Sequence, residues 1–450
     1  MKLKRFVAAC GIAALFVVGC STSTGTPVSD DVSFETFNVA LAGAYVPNVA
    51  VRRPELLKAL AQRTSDIICI QEAWEQADKD AIIAAAKDSY PHIATVRQND
   101  DSVVSDRVAL DGKEPPELTD APCANHQLKL NAALNCVTDS VWGEEFVDKG
   151  TSCVSIPGSE EATVLSTECV SKACVSQVGS LIYGADDAKR CYGCVAPLLS
   201  GTKLSQIRSI CTTNPKGGLA YGGQDGVMIL SRFPLSNITA YVLPSTWTRR
   251  TILHADAALP NGTVGIYCNH LSPIFDGETD PTLIYTGQYG ADASGKEATG
   301  KAAWANEQLL QAKQLVAYVT KTSGNGRAVI LGDFNASRTD VAAGISLKGG
   351  DGLATLDTLE QAFTPAVAAN FKPECTFCTT NPNMTLADVE DDSKRIDRIY
   401  MKSIAATAVT STAVTRKAAT IDGVNEADDN KPVKVPLSDH YGVQSVITMK

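Results

Sequence analysis

The segment at residues 436–443 reads Pro-Leu-Ser-Asp-His-Tyr-Gly-Val, and it places the acid Asp439 beside the imidazole of His440. Four earlier segments each combine an apolar, strand-like run with a polar group at or near its end. They are Ile70-Gln71-Glu72, Tyr267-Cys268-Asn269-His270, Leu331-Gly332-Asp333-Phe334-Asn335 and Arg395-Ile396-Asp397-Arg398-Ile399-Tyr400. Together the segments supply what metal-assisted phosphodiester hydrolysis requires: a cation on the phosphate, a base for water and a group that receives charge on the leaving oxygen.

In this order the five segments resemble the endonuclease/exonuclease/phosphatase superfamily, to which the neutral sphingomyelinases belong. These metal-dependent phosphoesterases also include DNase I, inositol-polyphosphate phosphatases and abasic-site endonucleases. The resemblance runs from Phe34 to the C-terminus and excludes one long insertion. It implies a DNase I-like α/β fold, called α+β in some schemes: a four-layer α/β/β/α sandwich of two mixed sheets flanked by helices. The site is then expected at the strand ends where the sandwich opens.

Glu72 is the principal metal ligand that the resemblance implies, with Asn38 as the matching amide and Asp439 as a second carboxylate near the metal. Mg²⁺ prefers oxygen ligands and keeps several waters, so one or two carboxylates with an amide oxygen suffice to bind it. We therefore expect Mg²⁺, with Mn²⁺ or another divalent cation as the alternative. In an arbitrary protein a glutamate at a strand end is more often a solvated charge, but the neighbouring segments favour the metal ligand here.

His440 is the expected general base, because an imidazole exchanges protons near neutral pH. The resemblance pairs it with Asp397, which would hold the ring and favour the imidazolium that forms. The alternative is that Asp397 forms a local salt bridge with Arg395 or Arg398.

Asp333 and Asn335 lie two residues apart after an apolar strand, so in an extended chain their side chains point to the same side and can contact one phosphate. In the resembling enzymes this pair orients water and contacts the phosphoryl group. The alternative is an Asx-rich turn with Gly332. His270 is implied to donate to a phosphate oxygen or to assist the leaving group, and its presence favours the DNase I and sphingomyelinase branches over the abasic endonucleases.

The N-terminus predicts export, because three basic residues precede an apolar run at residues 6–18 that is too short for a permanent membrane span. The run ends in Val-Val-Gly-Cys at Cys20, which resembles a bacterial lipobox and predicts a lipid anchor on that cysteine. A plain signal peptide is the alternative. We divide the chain into a signal peptide at 1–20, a tether at 21–31 and a catalytic domain at 32–450, and we expect it in the cell envelope.

Removing Cys10 and Cys20 from the fourteen cysteines leaves twelve, an even number that indicates disulfides in an exported protein. Eight of them lie between Cys123 and Cys211 and mark a Cys-rich insertion at residues 111–216, whose small core bridges would stabilise.

Two further cysteine arrangements leave alternatives open. Cys191-x-x-Cys194 and Cys375-x-x-Cys378 could form a four-thiolate zinc site instead of disulfides. Cys69 and Cys268 lie inside strand-like runs, where they would be bridged cysteines or buried apolar thiols.

The formal net charge is −10, from 40 basic and 50 acidic residues in a chain of 450. The composition therefore carries no bulk signature for nucleic acid or for an anionic membrane surface. A local basic patch or a bound cation can reverse the sign at a site, so the charge disfavours a polyanion substrate only mildly.

Hydrophobic periodicity predicts alternating strands and helices, as expected of a layered α/β fold. The predicted strands are 32–39, 66–70, 92–96, 226–230, 264–268 and 328–331, and the predicted helices are 52–63, 74–86 and 302–319. Residues 272–300 are predicted to form a long surface loop over the site.

The context of Glu72, the stretch at 225–235 and the sequence Tyr45-Val46-Pro47-Asn48 followed by Arg52 resemble neutral sphingomyelinases more than DNase I. We therefore expect an exported phosphodiesterase that uses water to hydrolyse a phospholipid headgroup ester. An extracellular DNA endonuclease and a non-catalytic surface binding module are the alternatives.

Trp74 or Trp247 would suit a choline-type headgroup through cation–π contact, although core packing is the commoner role of a tryptophan. The expected partners are a phospholipid or nucleic-acid substrate and, through the lipid anchor, a membrane; no obligate protein partner is indicated.

Overall fold

The computed structural model describes most of the catalytic domain and part of the Cys-rich insertion. The described residues are 30–43, 45–97, 102–104, 120–141, 175–182, 186–198, 204–215, 217–275, 285–292, 294–296, 298–338, 340–342, 345–347, 351–384, 393–415, 420–425 and 431–449. The predicted signal peptide, Cys20 and most of the predicted tether lie outside them. Within these ranges no helix combines the length and apolar character needed to cross a bilayer.

Each strand and helix that the periodicity predicts is present, but runs of consecutive strands, β4 to β7 and β12 to β16, interrupt the predicted alternation. The strands are β1 Asp31–Asn38, β2 Ile67–Gln71, β3 His92–Thr95, β4 Met228–Ser231, β5 Leu235–Leu243, β6 Arg250–Leu259, β7 Gly262–His270, β8 Ala328–Asp333, β9 Asp340–Ala342, β10 Ile345–Leu347, β11 Thr364–Pro365, β12 Asp397–Lys402, β13 Val409–Thr415, β14 Thr420–Asn425, β15 Lys431–Pro436 and β16 Gly442–Thr448. The helices are α1 Val49–Ala61, α2 Gln76–Ala86, α3 Gln127–Val141, α4 Val175–Ile182, α5 Asp186–Leu198, α6 Leu204–Thr213, α7 Gly300–Ser323 and α8 Leu353–Ala362.

Two six-stranded mixed sheets form the centre of the molecule. Their strand orders are β13-β16-β1-β2-β4-β3 and β11-β12-β8-β7-β6-β5, while β9 with β10 and β14 with β15 form separate two-stranded sheets. Each large sheet contains one parallel pair, β1 with β2 and β7 with β8, and its other pairs are antiparallel. The two strands of a parallel pair end at the same edge of their sheet.

Side chains alternate between the two faces of each strand, and in the central strands β2 and β8 both faces are buried. In β2, Ile67 and Cys69 join the apolar core between the sheets, whereas Ile68 and Ile70 pack towards α1 and α2. In β8, Val329 and Leu331 face the same inter-sheet core, and the alternate residues pack towards α7 and α8. Helices therefore cover the outer face of both sheets, and the predicted four-layer α/β/β/α sandwich is confirmed.

A disulfide between Cys69 in β2 and Cys268 in β7 joins the two sheets across their shared core. Both cysteines are fully buried. The alternative of free apolar thiols at these positions is therefore wrong.

The described part of the Cys-rich insertion is helical, although no helix was predicted there. Helices α3 to α6 surround a small apolar core of their own, which includes the bridges Cys123–Cys191 and Cys194–Cys211. Cys375 bonds to Cys378. The four-thiolate zinc alternative is therefore wrong, because all of its cysteines are bridged.

Candidate active site

The sheet topology brings the ends of several strands to one edge. Asn38 and His270 are the last residues of β1 and β7, and Asp333 is the last residue of β8. Asp397, the first residue of the antiparallel strand β12, lies opposite Asp333 in the strand register. His440 precedes β16, which runs antiparallel to β1, so that it reaches the same edge.

The carboxylate of Asp333 is the centre of the site. Its Oδ2 lies 3.1 Å from Asn38 Nδ2, 3.5 Å from His270 Nε2 and 3.8 Å from His440 Nε2. All four residues are buried. Burial and the neighbouring Asp397 raise the pKa of Asp333 to about 7. Four segments that are far apart in the sequence therefore meet around one oxygen atom.

Asp397 pairs with His440, with 2.9 Å between Asp397 Oδ2 and His440 Nδ1. Since a carboxylate oxygen only accepts, Nδ1 carries a proton and Nε2 faces Asp333. Burial lowers the pKa of His440, but Asp397, Asp439 and Asp333 outweigh it and raise the pKa well above its usual value. Arg398 instead donates to the Arg395 carbonyl, so the structure favours the expected pair over the local salt bridge.

Glu72 follows β2 in a left-handed conformation, with a φ of 61° that is rare outside glycine. Its Oε1 accepts a hydrogen bond from Asn38 Nδ2 at 2.9 Å and lies 4.0 Å from His270 Nε2. Its side chain is 18% exposed, against 3% for that of His270. Burial and then the nearby Asp439 raise its pKa.

The side-chain amide of Asn38 points its nitrogen, and not its oxygen, at the carboxylates of the site. Its nitrogen donates to Glu72 and Asp333, and its Oδ1 accepts the backbone N–H of Ala40 at 3.0 Å. To bind a cation beside these carboxylates, the amide would have to turn its oxygen towards them. Its role as a ligand remains a prediction.

Asp333 and Asn335 form the Asx turn that was the alternative for this segment, and both side chains still reach the site. Asp333 Oδ1 accepts the backbone N–H of Asn335 at 2.8 Å, which makes an Asx turn, and Asn335 is left-handed with a φ of 49°. The extended chain therefore does not continue beyond β8. Asn335 Nδ2 nevertheless lies 3.2 Å from His270 Nε2, so the turn itself brings the asparagine to the site.

The backbone near His270 is held by hydrogen bonds from a helix. Gln308 on α7 donates to the carbonyls of both Ser272 and Asn335 at 2.8 Å. Burial, Arg250 and His440 lower the pKa of His270 well below its usual value, so the ring is neutral near pH 7. Its buried Nδ1 has no hydrogen-bond partner among the described residues, and no acid supports it there.

The carboxylates fit a divalent cation. Asp397 Oδ1 is buried without a hydrogen-bond partner among the described residues. Burial raises the pKa of both Glu72 and Asp333, and the negative charge of a neighbouring aspartate raises each of them further. Asp439, which is buried and accepts from Ser438 Oγ at 3.1 Å, adds to that charge. Asp333, Asp397 and His440 also offer three ligand atoms within 4.8 Å of one another. Hard oxygen ligands of this kind favour Mg²⁺ or Mn²⁺.

Arg250 is a site residue that sequence reasoning missed. It lies at the start of β6, is buried, and places its guanidinium 5.5 Å from the centre of the Trp74 ring. Burial lowers its pKa to about 10, against the attraction of Glu72 and Asp333. Its Nε and Nη1 have no hydrogen-bond partner among the described residues. Only the contact between sheets reveals it, because nothing in the local sequence distinguishes Arg250 from Arg249.

Arg52 is a second buried arginine, and its hydrogen bonds within the described residues go to backbone carbonyls. It donates to the carbonyls of Pro47, Val39, Leu437 and Ala40 at 2.8–3.3 Å. These bonds fix the backbone that follows β1 and the backbone that precedes Ser438. The sequence showed Arg52 only as part of a resemblance.

An aromatic cluster of Tyr45, Trp74, Tyr221 and Trp247 adjoins His270. Trp74 stacks on Tyr221 with 5.3 Å between ring centres, and Tyr45 meets the edges of Tyr221 and Trp247 at 6.3 Å each. Trp74 lies 5.9 Å from the His270 ring. Tyr221 Oη and Trp247 Nε1 are buried without a hydrogen-bond partner among the described residues. Trp74 thus lies beside His270, whereas Trp247 joins the cluster through Tyr45. Both tryptophans pack against other rings, which is their commoner role, and a contact with a choline-type headgroup stays a prediction.

The model of the Endonuclease/Exonuclease/phosphatase family matches residues 36–440. This span is most of the chain and contains every predicted site residue of the catalytic domain. The chain therefore belongs to that family. No curated protein matches it by sequence at a significant level.

Several solved structures are similar to this chain at low identity. Sphingomyelinase C from Streptomyces griseocarneus is 14% identical, with 93% of this chain and 99% of that chain covered and a TM-score of 0.47. A mutant beta toxin from Staphylococcus aureus with bound magnesium ions is 11% identical, with coverages of 92% and 99% and a TM-score of 0.47. Truncated TDP2 from Caenorhabditis elegans is 12% identical, with coverages of 93% and 97% and a TM-score of 0.41.

Proposed function

We propose that this member of the endonuclease/exonuclease/phosphatase family is an exported, metal-dependent enzyme that hydrolyses a phosphodiester by attack of water. The observation that carries the proposal is the convergence of Asn38, His270 and His440 on Asp333 Oδ2, with Asp397 behind His440. Such a set offers acid–base groups, phosphate contacts and cation ligands in one buried place.

Glu72 and Asp439 would hold Mg²⁺, with Asn38 as a third ligand if its amide turns. A bound Mg²⁺ supplies positive charge to the phosphate and to the oxygen that leaves. The same charge would offset Asp439 next to His440, and we expect it to lower the pKa of His440 towards the range in which Nε2 accepts a proton.

The protein groups then have separate tasks. Asp397 holds His440 through Nδ1 and stabilises the imidazolium that forms when Nε2 takes a proton from water. Asp333 and Asn335 orient that water and contact the phosphoryl group. His270, neutral because it is buried, donates to a phosphate oxygen. Arg250 offers two N–H groups that lack partners in the described protein, and a phosphate oxygen would satisfy them.

A phospholipid headgroup ester is the substrate class that we favour. The aromatic cluster beside His270 adds ring faces and two buried donors, Tyr221 Oη and Trp247 Nε1, where the alcohol side of a headgroup would lie. A net charge of −10 disfavours a long polyanion, because binding DNA depends on many cationic contacts with phosphates.

One side-by-side assay tests the proposal. Sphingomyelin liposomes, duplex DNA and inositol phosphates are each incubated with the protein and Mg²⁺, and His440→Ala serves as the matched control. We expect cleavage of sphingomyelin by the wild type alone. Cleavage of DNA in preference to lipid would shift the assignment to a secreted endonuclease. Cleavage of none of the three would favour a binding module on this fold.

The lipid anchor at Cys20 is part of the same proposal. The described disulfides agree with an oxidising compartment outside the cytosol. We expect the mature protein to sediment with membranes, and Cys20→Ser behind a replacement signal peptide to release it. Recovery of the wild type in the soluble fraction would contradict the anchor.

A further inference from the structure

A loop between α8 and β12 contacts both chain segments that carry the Asp397–His440 pair. This loop, residues 375–383, reads Cys-Thr-Phe-Cys-Thr-Thr-Asn-Pro-Asn, and we call it the strap. No motif in the sequence marked it as part of the site. Its contacts run to the start of β12 on one side and to residues 436–441 on the other.

On the β12 side, the strap holds the backbone of Asp397. The hydroxyl oxygen of Thr376 accepts the N–H of Ile396 at 3.1 Å and the N–H of Asp397 at 3.2 Å. Phe377 and Lys394 exchange backbone hydrogen bonds at 3.0 and 2.7 Å. Thr376 is fully buried, so this oxygen is the acceptor for both N–H groups where water is excluded.

On the other side, the strap holds the backbone around His440. The Thr376 carbonyl accepts the N–H of Tyr441 at 2.7 Å, and the Phe377 ring lies 5.0 Å from the ring of His440. Asn381 Nδ2 donates to the carbonyls of Ser438 and Asp439, both at 2.9 Å.

Asn383 completes this contact, because its Nδ2 donates to the carbonyls of Pro436 and Ser438 at 2.9 and 3.2 Å. A single loop thus holds the backbone that carries both partners of the pair and the backbone of Asp439 next to it.

The Cys375–Cys378 disulfide closes the first part of the strap, which contains Thr376 and Phe377, with a sequence separation of three. The stabilisation expected from a disulfide grows with the length of the loop that it closes, so a bridge this short adds little to global stability. Its two cysteines are buried against Tyr441. The bridge therefore acts on the local shape of the strap, at the point where Thr376 and Phe377 meet the pair.

We propose that the disulfide-closed strap positions Asp397 relative to His440, with Thr376 and Asn381 as its positioning residues. The inference rests on the proposed function in so far as the pair is catalytic. Neither residue contacts the reacting atoms. Each acts through the backbone of the residues that do, and displacement of a catalytic group by about 1 Å can cost about 10²-fold in rate.

Thr376→Val and Thr376→Ser are the matched variants that test it. Valine keeps the shape of threonine but removes the acceptor, whereas serine keeps the acceptor. With a soluble phosphodiester we expect Thr376→Val to lower kcat about 10- to 100-fold at unchanged KM, and Thr376→Ser to retain most of kcat. Cys375→Ser/Cys378→Ser should lower kcat in the same way while its melting temperature stays close to that of the wild type.

A second readout does not depend on activity. The proton on His440 Nδ1 that bonds to Asp397 should give a far-downfield proton NMR signal, assigned by its loss in Asp397→Asn. We expect Thr376→Val to shift or broaden this signal and Thr376→Ser to preserve it. A Thr376→Val protein with the kcat and the signal of the wild type would overturn the proposal. If the signal responds but the wild type hydrolyses no phosphodiester, the strap positions the pair and the proposed function fails.

Discussion

At the scale of single residues, some polar groups of the site bond to one another, and others have no hydrogen-bond partner. Asp397 Oδ1, His270 Nδ1 and two nitrogens of Arg250 are buried without hydrogen-bond partners in the described protein. Buried polar groups are nearly always satisfied in folded proteins, so each exception calls for an explanation. Under the proposed function, a bound phosphate and a cation would supply the missing partners of these atoms.

The Asp397–His440 pair gives the first prediction. His440→Ala should lower kcat by about 10²–10⁴-fold, because it removes the general base. Asp397→Asn should lower kcat by less, because the aspartate acts through the histidine. The double variant should resemble His440→Ala, since residues that act as a unit are not additive. Steady-state kinetics on a soluble phosphodiester measure all three, and unchanged turnover in Asp397→Asn across pH would refute the pairing.

The two buried arginines give opposite predictions. Arg250→Met should lower kcat/KM about 10- to 100-fold, as expected when a charged donor to phosphate is lost, yet leave the melting temperature unchanged or higher, because it removes an incompletely paired buried charge. Arg52→Met should destabilise the fold, since each backbone carbonyl left without a donor costs about 1–3 kcal/mol. Thermal unfolding measures the stability of both variants, and steady-state kinetics measure their kcat/KM. A strongly destabilised Arg250→Met with normal kinetics would make Arg250 structural.

At the scale of elements, the parallel pairs β1 with β2 and β7 with β8 bring the expected residues together, because their strands end at one edge of the sandwich. Each of these four strands was predicted, since apolar β-rich runs bounded by polar residues are a local signal. Asn38, Glu72, His270 and Asp333 could therefore be found from the sequence and the family resemblance together.

Other parts of the site depend on contacts that no local pattern encodes. The amide nitrogen of Asn38 is directed by the side chains of Glu72 and Asp333. The side chain of Asn335 is held by the distant carbonyl of Leu271, and the strap at 375–383 by the backbone of residues 394–397 and 436–441. Arg250 is recognised only by its contact with Trp74, which follows a strand of the other sheet. Helices α3 to α6 were missed because the insertion has short amphipathic stretches, and disulfides rather than a large apolar core hold them together.

The inter-sheet disulfide gives an element-scale prediction. Cys69→Ala/Cys268→Ala should lower the free energy of unfolding by about 2–5 kcal/mol, because the bridge closes a long loop, with a sequence separation of 199. Cys375→Ser/Cys378→Ser should lower it by much less. Urea unfolding in the absence of reductant measures the free energy of unfolding of both double variants. Equal losses of stability would contradict the loop-length argument.

At the scale of the whole molecule, the Cys-rich insertion has its own core and lies apart from the catalytic residues in sequence. Its helix α5 packs against the turn Ala220–Gly223, which carries Tyr221 of the aromatic cluster. The insertion thus meets the side of the site where the alcohol part of the substrate would lie, and we expect it to affect substrate selection more than chemistry.

Replacement of residues 111–216 by a short Gly/Ser linker tests this division of labour. Hydrolysis of a small soluble phosphodiester should be largely retained, because loop length changes stability only slowly. Cleavage of liposomes should fall, because Tyr221 loses the support of α5. Complete loss on the small substrate in a folded protein would show that the insertion contributes catalytic residues.

The central claim is that Glu72 holds a divalent cation that hydrolysis requires. The most direct measurement is the rate on a soluble phosphodiester after chelation, followed by titration with Mg²⁺, for the wild type and Glu72→Gln. Glutamine nearly preserves shape and removes a charge from a crowded site, so the fold should persist. We predict no hydrolysis in excess chelator, recovery of the wild type with Mg²⁺, and a much higher Mg²⁺ requirement in Glu72→Gln. Full hydrolysis in excess chelator, or an unchanged Mg²⁺ requirement in Glu72→Gln, would contradict the account.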